Sequence, residues 1–472
     1  MAIPLLPGDP HDEALRANVK PPGWVNPTPA PRYQLVVLGA GPAGLVAAAG
    51  AAALGAKVAL VERDLMGGDC LNVGCVPSKA LLRAAKAVAE IRRAKEFGIT
   101  VGEPAIDFAA VMERVRRVRA QIGPHDSAER FRRLGVDVFL GEGKFVNEDT
   151  VEVTGAKLRF GRCVIATGAR AAVPDVPGLK EARYFTNETI FTLTELPKRL
   201  LVIGAGPIGC ELGQAFARLG SRVTLVARGG RLLPREDPEA SDLLRTAFAA
   251  DGIEIVRETP PLTGFDAVLV AAGRRPNVEG LNLPAAGVEM SDGHVRTDRY
   301  LRTTNPRVYA AGDVSSAGPK FTHAADAMAR LVVRNALFPG SSGDVNHIPW
   351  CTYTDPEVAA IGRRPSETTS HFRVGFEELD RPMTDGTTGF IKVAAHRGRV
   401  TDATVVGPHA GEVIGALSLA MSNRLTLRQI ASTVFPYPTY TETLKKVADQ
   451  YNRTRLTPFR ARLLRAWLRW FR

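Results

Sequence analysis

The chain lacks any run of about 18 apolar residues, the length that a membrane-spanning helix requires. Its first residues, MAIPLLPGDPHDEALR, also lack the basic-then-apolar order of a secretory signal peptide. We therefore expect a soluble, cytoplasmic protein. A composition of 45% hydrophobic and 23% charged residues over 472 positions is typical of a globular protein, and this length predicts two to four domains.

Cysteine and histidine are scarce, and their scarcity limits the kinds of site that the chain can build. There are five cysteines: Cys70, Cys75, Cys163, Cys210 and Cys351. Five is too few, and odd, for an extracellular disulfide framework. A zinc site would need a second close cysteine pair or nearby histidines, and none of the 8 histidines lies near Cys70 and Cys75. We predict no metal site, and we expect the other three cysteines to be buried without a redox role.

Basic residues outnumber acidic ones, but the excess is unevenly placed. The net charge is +12, and the segment from Arg453 to Arg472 contributes seven arginines and no carboxylate. No nucleic-acid recognition motif accompanies this charge, so nucleic-acid binding is not predicted.

The arginine-rich tail also has an amphipathic pattern. In FRARLLRAWLRWFR, residues 459–472, one helical stripe carries Leu464, Trp467, Leu468 and Phe471, and Arg462, Arg465, Arg469 and Arg472 lie largely elsewhere. Such a helix is typical of a segment resting on an anionic membrane. It is also consistent with a helix packed on the protein's own dimer surface, and the sequence leaves both interpretations open.

Two stretches of the chain repeat one plan of strand, glycine turn, helix and strand. The first, YQLVVLGAGPAGLVAAAGAAALGAKVALVER, begins at Tyr33, and the second, RLLVIGAGPIGCELGQAFARLGSRVTLVAR, begins at Arg199. Their glycines correspond: Gly39, Gly41 and Gly44 in the first, Gly204, Gly206 and Gly209 in the second. In each copy, the first glycine permits a tight turn, the second lets backbone approach a pyrophosphate and the third lets helix pack on strand. The repeat predicts two dinucleotide-binding units.

The two copies differ at the position that contacts the adenosine ribose. Glu62 ends the second strand of the first copy and suits a ribose 2'-hydroxyl, so we expect this site to bind FAD. The second copy has Ala227 there, followed by Arg228, with Arg222 and Arg231 close by. Guanidinium groups without a nearby carboxylate favour binding of a 2'-phosphate, so we predict that the site binds NADPH in preference to NADH. Binding of NADH is also compatible with this sequence.

Three further apolar strands end in glycine turns: VIATGAR, VLVAAGRRPN and VYAAGDV. The candidate cofactor contacts on these turns are Thr167, Gly168, Gly273, Gly312 and Asp313. A carboxylate placed as Asp313 is can accept hydrogen bonds from sugar or ribitol hydroxyls. Each turn alone is also typical of a plain strand-to-loop connection.

The segment GGDCLNVGCVPSK contains the close cysteine pair. Cys70 and Cys75 are five residues apart, about 140° around an ideal helix, so a bond between them needs distortion that the glycines before each cysteine permit. A strained pair near a helix start and close to Lys79 would have lowered thiol pKa values and an easily reduced bond. The loop that a Cys70–Cys75 disulfide would close is too short for the bond to stabilise the fold much, and this favours a redox couple over a structural disulfide.

The chain resembles the class I flavin disulfide reductases, which include lipoamide dehydrogenase, glutathione reductase and mercuric reductase. The residues that carry the resemblance are GGDCLNVGCVPSKALL after a GAGPAG unit, together with GAGPIGCELG and AAGDV. The resemblance covers about residues 33 to 450. It implies an α/β fold with two Rossmann-like domains, for FAD and NAD(P), a C-terminal α+β dimerisation domain, and a homodimer. The expected parts are an irregular N-terminal arm (1–31), an FAD domain (32–190 and 281–347), an NAD(P) domain (191–280), a dimerisation domain (348–455) and a basic tail (456–472).

The resemblance also implies roles for individual residues. Hydride passes from the nicotinamide to the flavin, and electrons then reach the Cys70–Cys75 disulfide. Cys75 faces the flavin, and Cys70, at the more exposed end, is the outer thiol that attacks the substrate. Lys79 lies near the flavin and pairs with Glu211.

The chain departs from the family pattern near its end. Lipoamide dehydrogenase and glutathione reductase carry a HPTxxE segment with a catalytic histidine, whereas this chain reads FPYPTYTE, with Tyr437 in place of the histidine and Glu442 retained. A phenol with a pKa of about 10 cannot cycle protons near neutral pH as imidazole does. The tyrosine and the VTLVAR segment are similar to mercuric reductase, but the C-terminal cysteine pair and the N-terminal GMTCxxC segment of that enzyme are absent.

These features predict an NADPH-dependent FAD enzyme, similar to mercuric reductase, that reduces a disulfide or a soft, thiol-reactive oxidant or metal ion. A dihydrolipoyl dehydrogenase and a membrane-surface electron-transfer partner are the alternatives.

Overall fold

The computed structural model describes residues 3–340, 342–343, 345–362 and 369–471. Within them the helices are α1 (Pro10–Val19), α2 (Pro42–Ala53), α3 (Gly68–Asn72), α4 (Cys75–Arg93), α5 (Phe108–Ile122), α6 (Ala128–Arg133), α7 (Pro207–Arg218), α8 (Pro238–Ala250), α9 (Thr322–Leu337), α10 (Asp380–Thr384), α11 (Ala410–Ser422), α12 (Leu427–Ser432), α13 (Glu442–Thr454) and α14 (Pro458–Trp470).

The strands are β1 (Tyr33–Leu38), β2 (Val58–Glu62), β3 (Val136–Leu140), β4 (Gly143–Asn147), β5 (Thr150–Val153), β6 (Ala156–Ile165), β7 (Ala169–Ala171), β8 (Tyr184–Phe185), β9 (Arg199–Ile203), β10 (Arg222–Val226), β11 (Glu254–Val256), β12 (Ala267–Val270), β13 (Arg274–Pro276), β14 (Met290–Ser291), β15 (His294–Val295), β16 (Val308–Ala310), β17 (Pro349–Thr352), β18 (Glu357–Gly362), β19 (Ser370–Gly375), β20 (Phe390–His396) and β21 (Arg399–Gly407).

The first glycine motif belongs to a seven-stranded sheet. Its order is β3–β2–β1–β6–β5–β4, with β16 paired to β6. β1 runs parallel to β2 and β6, whereas β4 and β5 form an antiparallel extension. β2 is buried along its whole length, as is typical of a parallel strand covered on both faces. The Ala-rich helix α2 packs closely against α9, because its small side chains allow the two helices to approach.

The second glycine motif belongs to a separate sheet of five parallel strands, β11–β10–β9–β12–β8. β9, α7 and β10 follow one another as β1, α2 and β2 do in the first copy. The prediction of two dinucleotide-binding βαβ units is therefore confirmed.

A third sheet, β17–β18–β21–β20–β19, is antiparallel throughout and is covered by α11 and α13. It confirms the predicted α+β character of the C-terminal part. The chain forms two compact units, residues 1–231 with 248–345 and residues 232–247 with 346–472. The first unit contains both sheets that carry the glycine motifs, so the boundaries between the FAD and NAD(P) domains stay a prediction.

The prediction of an irregular N-terminal arm is wrong for residues 10–19, which form α1. Asp9 caps this helix, and Leu15 is fully buried. Two buried ion pairs tie the segment to α5: Asp9 with Arg116 at 2.7 Å and Asp12 with Arg119 at 2.5 Å. Asp followed by Pro is a helix-start signal, and the proline-rich stretch downstream obscured it in the sequence.

Candidate functional site

The first glycine turn leaves no room for side chains. Gly39 has φ +101°, and a Cβ there would lie 2.5 Å from the carbonyl oxygen of Ala166. At Gly44, a Cβ would lie 1.8 Å from the carbonyl oxygen of Gly39, so only glycine allows α2 to pack this closely on the turn. Gly41 is the N-cap of α2, where unsatisfied backbone N–H groups favour a phosphate. This close-packed turn fits the pyrophosphate of FAD.

Glu62 lies at the end of β2 with its carboxylate held by backbone. Its Oε2 accepts a hydrogen bond from the N–H of Ala40 at 2.7 Å, and its Oε1 accepts one from the N–H of Asp64 at 2.8 Å. Burial raises the pKa of Glu62. Glu62 lines a cavity of about 90 Å³ together with Gly39 and Thr167, and this placement fits the ribose end of FAD.

The second glycine turn has the same geometry. Gly204 has φ +119°, and a Cβ there would lie 2.4 Å from the carbonyl oxygen of Ala271, while one at Gly209 would lie 1.9 Å from the carbonyl oxygen of Gly204. Gly206 faces open space at the N-cap of α7, which leaves room for a phosphate. Arg228, next to the end of β10, is exposed.

The glycine turns after the other strands adopt conformations that favour glycine. Gly168, Gly273 and Gly312 have φ values of +67°, +137° and +77°. The Thr167 hydroxyl donates a hydrogen bond to the carbonyl oxygen of Asn277 at 2.6 Å. Contacts of these residues with a cofactor stay a prediction.

Cys70 and Cys75 lie on two different helices. Cys70 belongs to the short α3, and Cys75 is the first residue of α4, with a break at Val73 and Gly74. A side chain at Gly74 would come within 2.8 Å of the carbonyl oxygen of Asp69, so glycine makes the break possible. Both thiols are free, and they are close enough for a hydrogen bond between them.

The two thiols have opposite pKa shifts. The pKa of Cys75 is lowered to about 6, chiefly because the Cys70 thiol donates a hydrogen bond to it, and Thr322 and Lys79 add to this effect against the opposing effect of burial. The same hydrogen bond, followed by burial, raises the pKa of Cys70. The expectation that both pKa values are lowered is therefore wrong for Cys70, because two adjacent thiolates repel each other and one proton stays between them.

The two cysteines also differ in exposure, and their assignment as outer and flavin-facing thiols stays a prediction. Cys75 is exposed and Cys70 is half-buried. The sequence argument placed Cys70 at the outer end of one continuous helix. The chain breaks at Gly74 instead, and Cys75 is the first residue of a new helix, α4.

The lowered pKa of Cys75 predicts how the reduced protein reacts with iodoacetamide. Because only the thiolate reacts, we expect the rate at Cys75 to level off above a midpoint near pH 6, whereas an ordinary thiol would continue to gain reactivity up to about pH 8.5. The Thr322 hydroxyl lies 3.3 Å from Cys75 Sγ. Thr322→Val should raise the midpoint and Thr246→Val, on α8, should not. An unchanged midpoint in Thr322→Val would contradict this account.

Lys79 and Glu211 form the ion pair that the resemblance implies. Lys79 Nζ lies 2.7 Å from Glu211 Oε2, and the Glu211 side chain is buried. The pair joins α4, which carries Cys75, to α7, which carries the second glycine motif. It therefore connects the cysteine site with the second nucleotide motif, and its role in electron transfer stays a prediction.

Sequence reasoning missed a polar network behind Cys70. Arg274, on β13, lies 3.1 Å from Asp69 Oδ2 through Nη1 and 3.4 Å from Asp313 Oδ2 through Nε. Its Nη2 donates to the carbonyl oxygen of Ala169 at 2.7 Å. Asn187 Nδ2 donates to the other Asp69 oxygen at 3.1 Å. The Arg274 guanidinium thus holds two carboxylates in place: that of Asp69, the residue before Cys70, and that of Asp313, a candidate FAD contact.

Tyr437 and Glu442 belong to the second compact unit. The Tyr437 hydroxyl donates a hydrogen bond to Asp380 Oδ2, which raises the pKa of the phenol, and its side chain is 68% exposed. Glu442 begins α13. Thus Tyr437 is oriented by Asp380, a partner that the sequence pattern did not indicate.

The tail forms the predicted helix, α14, and none of its described residues is buried. Its large apolar side chains are exposed, from 47% for Leu464 to 85% for Trp470. Arg472 lies outside the described residues. None of the helices in the described part of the chain is long and apolar enough to cross a membrane.

Comparison with known proteins agrees with this geometry. The sequence model described as "Pyridine nucleotide-disulphide oxidoreductase" matches residues 33–329, and the model of the dimerisation domain of the same group matches residues 348–448. A mercuric reductase of Acidithiobacillus ferrooxidans is 37% identical over 458 residues, covering 89% of this chain and 82% of the relative.

Two further relatives carry other names. A dihydrolipoyl dehydrogenase of Chlamydia muridarum is 32% identical over 446 residues, covering 87% of this chain and 95% of the relative. Among solved structures, the HOCl-induced flavoprotein disulfide reductase RclA from Escherichia coli superposes with a TM-score of 0.78 at 25% identity, covering 88% of this chain and 99% of that one.

Proposed function

The chain belongs to the pyridine nucleotide-disulphide oxidoreductase family, and from this premise we propose that it uses NADPH to reduce a disulfide or another soft, thiol-reactive oxidant through Cys70 and Cys75. It is a flavoprotein oxidoreductase of the type that includes mercuric reductase, lipoamide dehydrogenase and RclA, and its family binds FAD and a pyridine nucleotide. It carries a dimerisation domain, and we propose a homodimer.

One observation carries the proposal: Cys70 and Cys75 lie close together across the break at Gly74, with Cys75 Sγ 3.3 Å from the Thr322 hydroxyl, and the pKa of Cys75 is lowered. A thiolate is the reactive form of cysteine in disulfide exchange. The first glycine turn and Glu62 would hold FAD, which would supply two-electron transfer between the nicotinamide and the cysteine pair. All later steps need only the chain's own thiols.

The hydrogen bond gives Cys70 an internal proton acceptor. In our proposal, Cys70 passes its proton to the Cys75 thiolate and attacks the substrate disulfide, so a mixed disulfide forms and the first substrate thiolate leaves with that proton. The Cys75 thiolate then displaces the second substrate thiol and closes a Cys70–Cys75 disulfide. One NADPH, one proton and one disulfide thus give NADP⁺ and two thiols. This path needs no histidine, which agrees with Tyr437 at the usual histidine position.

The substrate is tested by comparing oxidants. We expect NADPH oxidation by the holoenzyme to be stimulated by small disulfides or by Hg(II), since two thiolates also suit a soft metal. Lipoamide is included because it is the oxidised substrate of the dihydrolipoyl dehydrogenase alternative. Fast turnover of lipoamide, with no response to the other oxidants, would favour the dihydrolipoyl dehydrogenase alternative.

The preference for NADPH is proposed from the end of β10. Ala227 there is buried and presents no carboxylate, and the exposed Arg228 follows it. We expect Arg228→Gln to raise the KM for NADPH about tenfold or more, because a charge-assisted contact with the 2'-phosphate is lost, and to leave the KM for NADH unchanged. Arg199→Gln, at the start of β9, is the control. An equal effect of Arg228→Gln on both nucleotides would refute phosphate recognition.

We propose that α14 rests on an anionic membrane surface. Within its described part, four arginines and no carboxylate accompany exposed Trp, Phe and Leu side chains, and this charge complements anionic lipid. Removal of residues 459–472 should abolish co-sedimentation with anionic vesicles without loss of the fold, because no described residue of α14 is buried. Unchanged sedimentation would refute the proposal, and a shift from dimer to monomer would assign the helix to the dimer surface instead. A cytoplasmic location stays a prediction.

A further inference from the structure

The N-terminal helix α1 and the loop that carries the cysteine pair are joined by one buried guanidinium. Arg119, on α5, is 2% exposed. Its Nη2 donates to Oδ1 of Asp12, on α1, at 2.5 Å, and its Nη1 donates to the carbonyl oxygen of Asn72 at 2.8 Å. Asn72 is the last residue of α3 and lies between Cys70 and Cys75 in the chain. A single side chain therefore connects the N-terminal segment with the cysteine loop.

Asn72 is also the centre of the loop's own hydrogen bonds. It is fully buried, and its Nδ2 donates to the carbonyl oxygens of Met66 at 3.1 Å and of Gly68 at 2.8 Å. The Met66 N–H in turn donates to the carbonyl oxygen of Val19, the last residue of α1, at 3.1 Å. Helix α1 thus holds the loop at two places, directly at Met66 and through Arg119 at Asn72.

The ion pair between Asp12 and Arg119 is held in a fixed position. The second oxygen of Asp12 accepts a hydrogen bond from the N–H of Leu6 at 2.8 Å. A guanidinium presents its donors in a rigid, planar fork, so two partners in different directions fix its place. Such a buried pair adds little net stability, because the loss of water from both charges offsets their attraction. Its geometry suits the fixing of a nearby backbone group.

We infer that Asp12 and Arg119 are positioning residues for the cysteine pair: they fix the carbonyl group of Asn72 and, with it, the place of Cys70 relative to Cys75. The inference rests on the proposed function, because it concerns the same redox couple. Neither side chain takes part in the exchange of thiols. They act through the backbone of α3, and the N-terminal segment is in this way a working part of the redox site.

The short helix α3 needs such support. It has five residues, with Gly67 as its N-cap, and Gly74 lies in the break that follows it. Glycine permits backbone rotation at both ends, so α3 without its anchor would be free to move. Cys70 would then spend less time beside Cys75. A disulfide between the two sulfurs would close less readily.

The disulfide equilibrium of the pair tests the inference without any substrate. The holoenzyme is equilibrated with mixtures of reduced and oxidised dithiothreitol, in which the two enzyme thiols and oxidised dithiothreitol give the enzyme disulfide and reduced dithiothreitol. We expect Arg119→Met to lower the equilibrium constant for closure of the Cys70–Cys75 disulfide by about tenfold or more, because a looser α3 lowers the effective concentration of one thiol at the other. Thiol titration of the quenched protein measures it.

A second ion pair between the same two helices provides the matched control. Arg116 Nε lies 2.7 Å from Asp9 Oδ2, and both side chains are buried. Within the part of the chain that the structure describes, the hydrogen bond of Arg116 goes to Asp9 and not to the cysteine loop. Arg116→Met leaves an unpaired carboxylate on α1, as Arg119→Met does. It should nevertheless keep the disulfide equilibrium of the wild type.

Arg119→Lys covers the case in which Arg119→Met does not fold. It keeps a cation beside Asp12 but lacks the fork that reaches Asn72 at the same time, so we expect a smaller shift in the same direction. An unchanged equilibrium in the Arg119 variants that fold, or an equal shift in Arg116→Met, would overturn the inference and leave the proposed function intact. A wild-type pair that closes no disulfide in any mixture would remove the proposed function, and the inference with it.

Discussion

Replacing Cys75 by serine is expected to lower NADPH-dependent disulfide reduction by at least about 10³-fold. Serine cannot form a disulfide with Cys70, and its hydroxyl is not ionised at neutral pH. Cys70→Ser should have an equally large effect, since the proposed cycle needs both sulfurs. The rate of disulfide reduction in the steady state, followed by NADPH absorbance, measures both variants.

The effect should be specific to this pair. Cys351→Ser makes the same chemical change at a half-buried cysteine of the second compact unit and should keep full turnover. In Cys75→Ser, reduction of the bound flavin by NADPH should persist, because this step precedes the cysteines. Turnover of Cys75→Ser within a few-fold of the wild type would contradict the role assigned to the couple.

Arg274→Leu is expected to lower the free energy of unfolding by about 2 to 3 kcal/mol. Arg274 is only 23% exposed and holds both Asp69 and Asp313. Without it, the half-buried carboxylates of Asp69 and Asp313 would lose their common cation, and leaving such a charge unpaired costs more than the pair itself contributes. Because Asp69 precedes Cys70 and Asp313 is a candidate FAD contact, flavin retention after gel filtration should fall as well.

The neighbouring arginine provides the control. Arg275 has a side chain that is 65% exposed and pairs with Glu279, which is exposed too. Arg275→Leu should change stability by less than about 0.5 kcal/mol and should retain flavin. Equal losses of stability in the two variants, measured by urea unfolding, would show that Arg274 is not the centre of a buried network.

The parts of the fold that follow from local pattern were predicted correctly. Apolar strands, glycine turns and helix faces are each determined by residues close together in the sequence. The two glycine motifs at Gly39 and Gly204 therefore indicated the two sheets that contain them. The same reasoning failed at α1, where the short signal of Asp9 and Pro10 was outweighed by the proline-rich residues after it. Where a helix begins and where a loop ends depend on such small differences between competing local sequence signals.

The electrostatics of the site depend on contacts that the sequence does not indicate. Thr322 is 247 positions from Cys75, and Arg274 is more than 200 from Asp69, yet each contacts its partner directly. Asp380 likewise orients Tyr437 from 57 positions away. The motif GGDCLNVGC predicts that two thiols meet. Which of them has the lower pKa depends on the hydrogen bond that they share and on Lys79, which lowers the pKa of Cys75.

The central claim is that Cys75 is a thiolate next to the flavin and works with Cys70 as a redox couple. Anaerobic titration of the purified holoenzyme with NADPH tests it most directly. We predict a long-wavelength absorbance band from the Cys75 thiolate to the flavin after two electrons per FAD, lost in Cys75→Ser and discharged on mixing with the substrate disulfide. Reduction of the flavin with no such band, and no gain of two titratable thiols, would contradict the account.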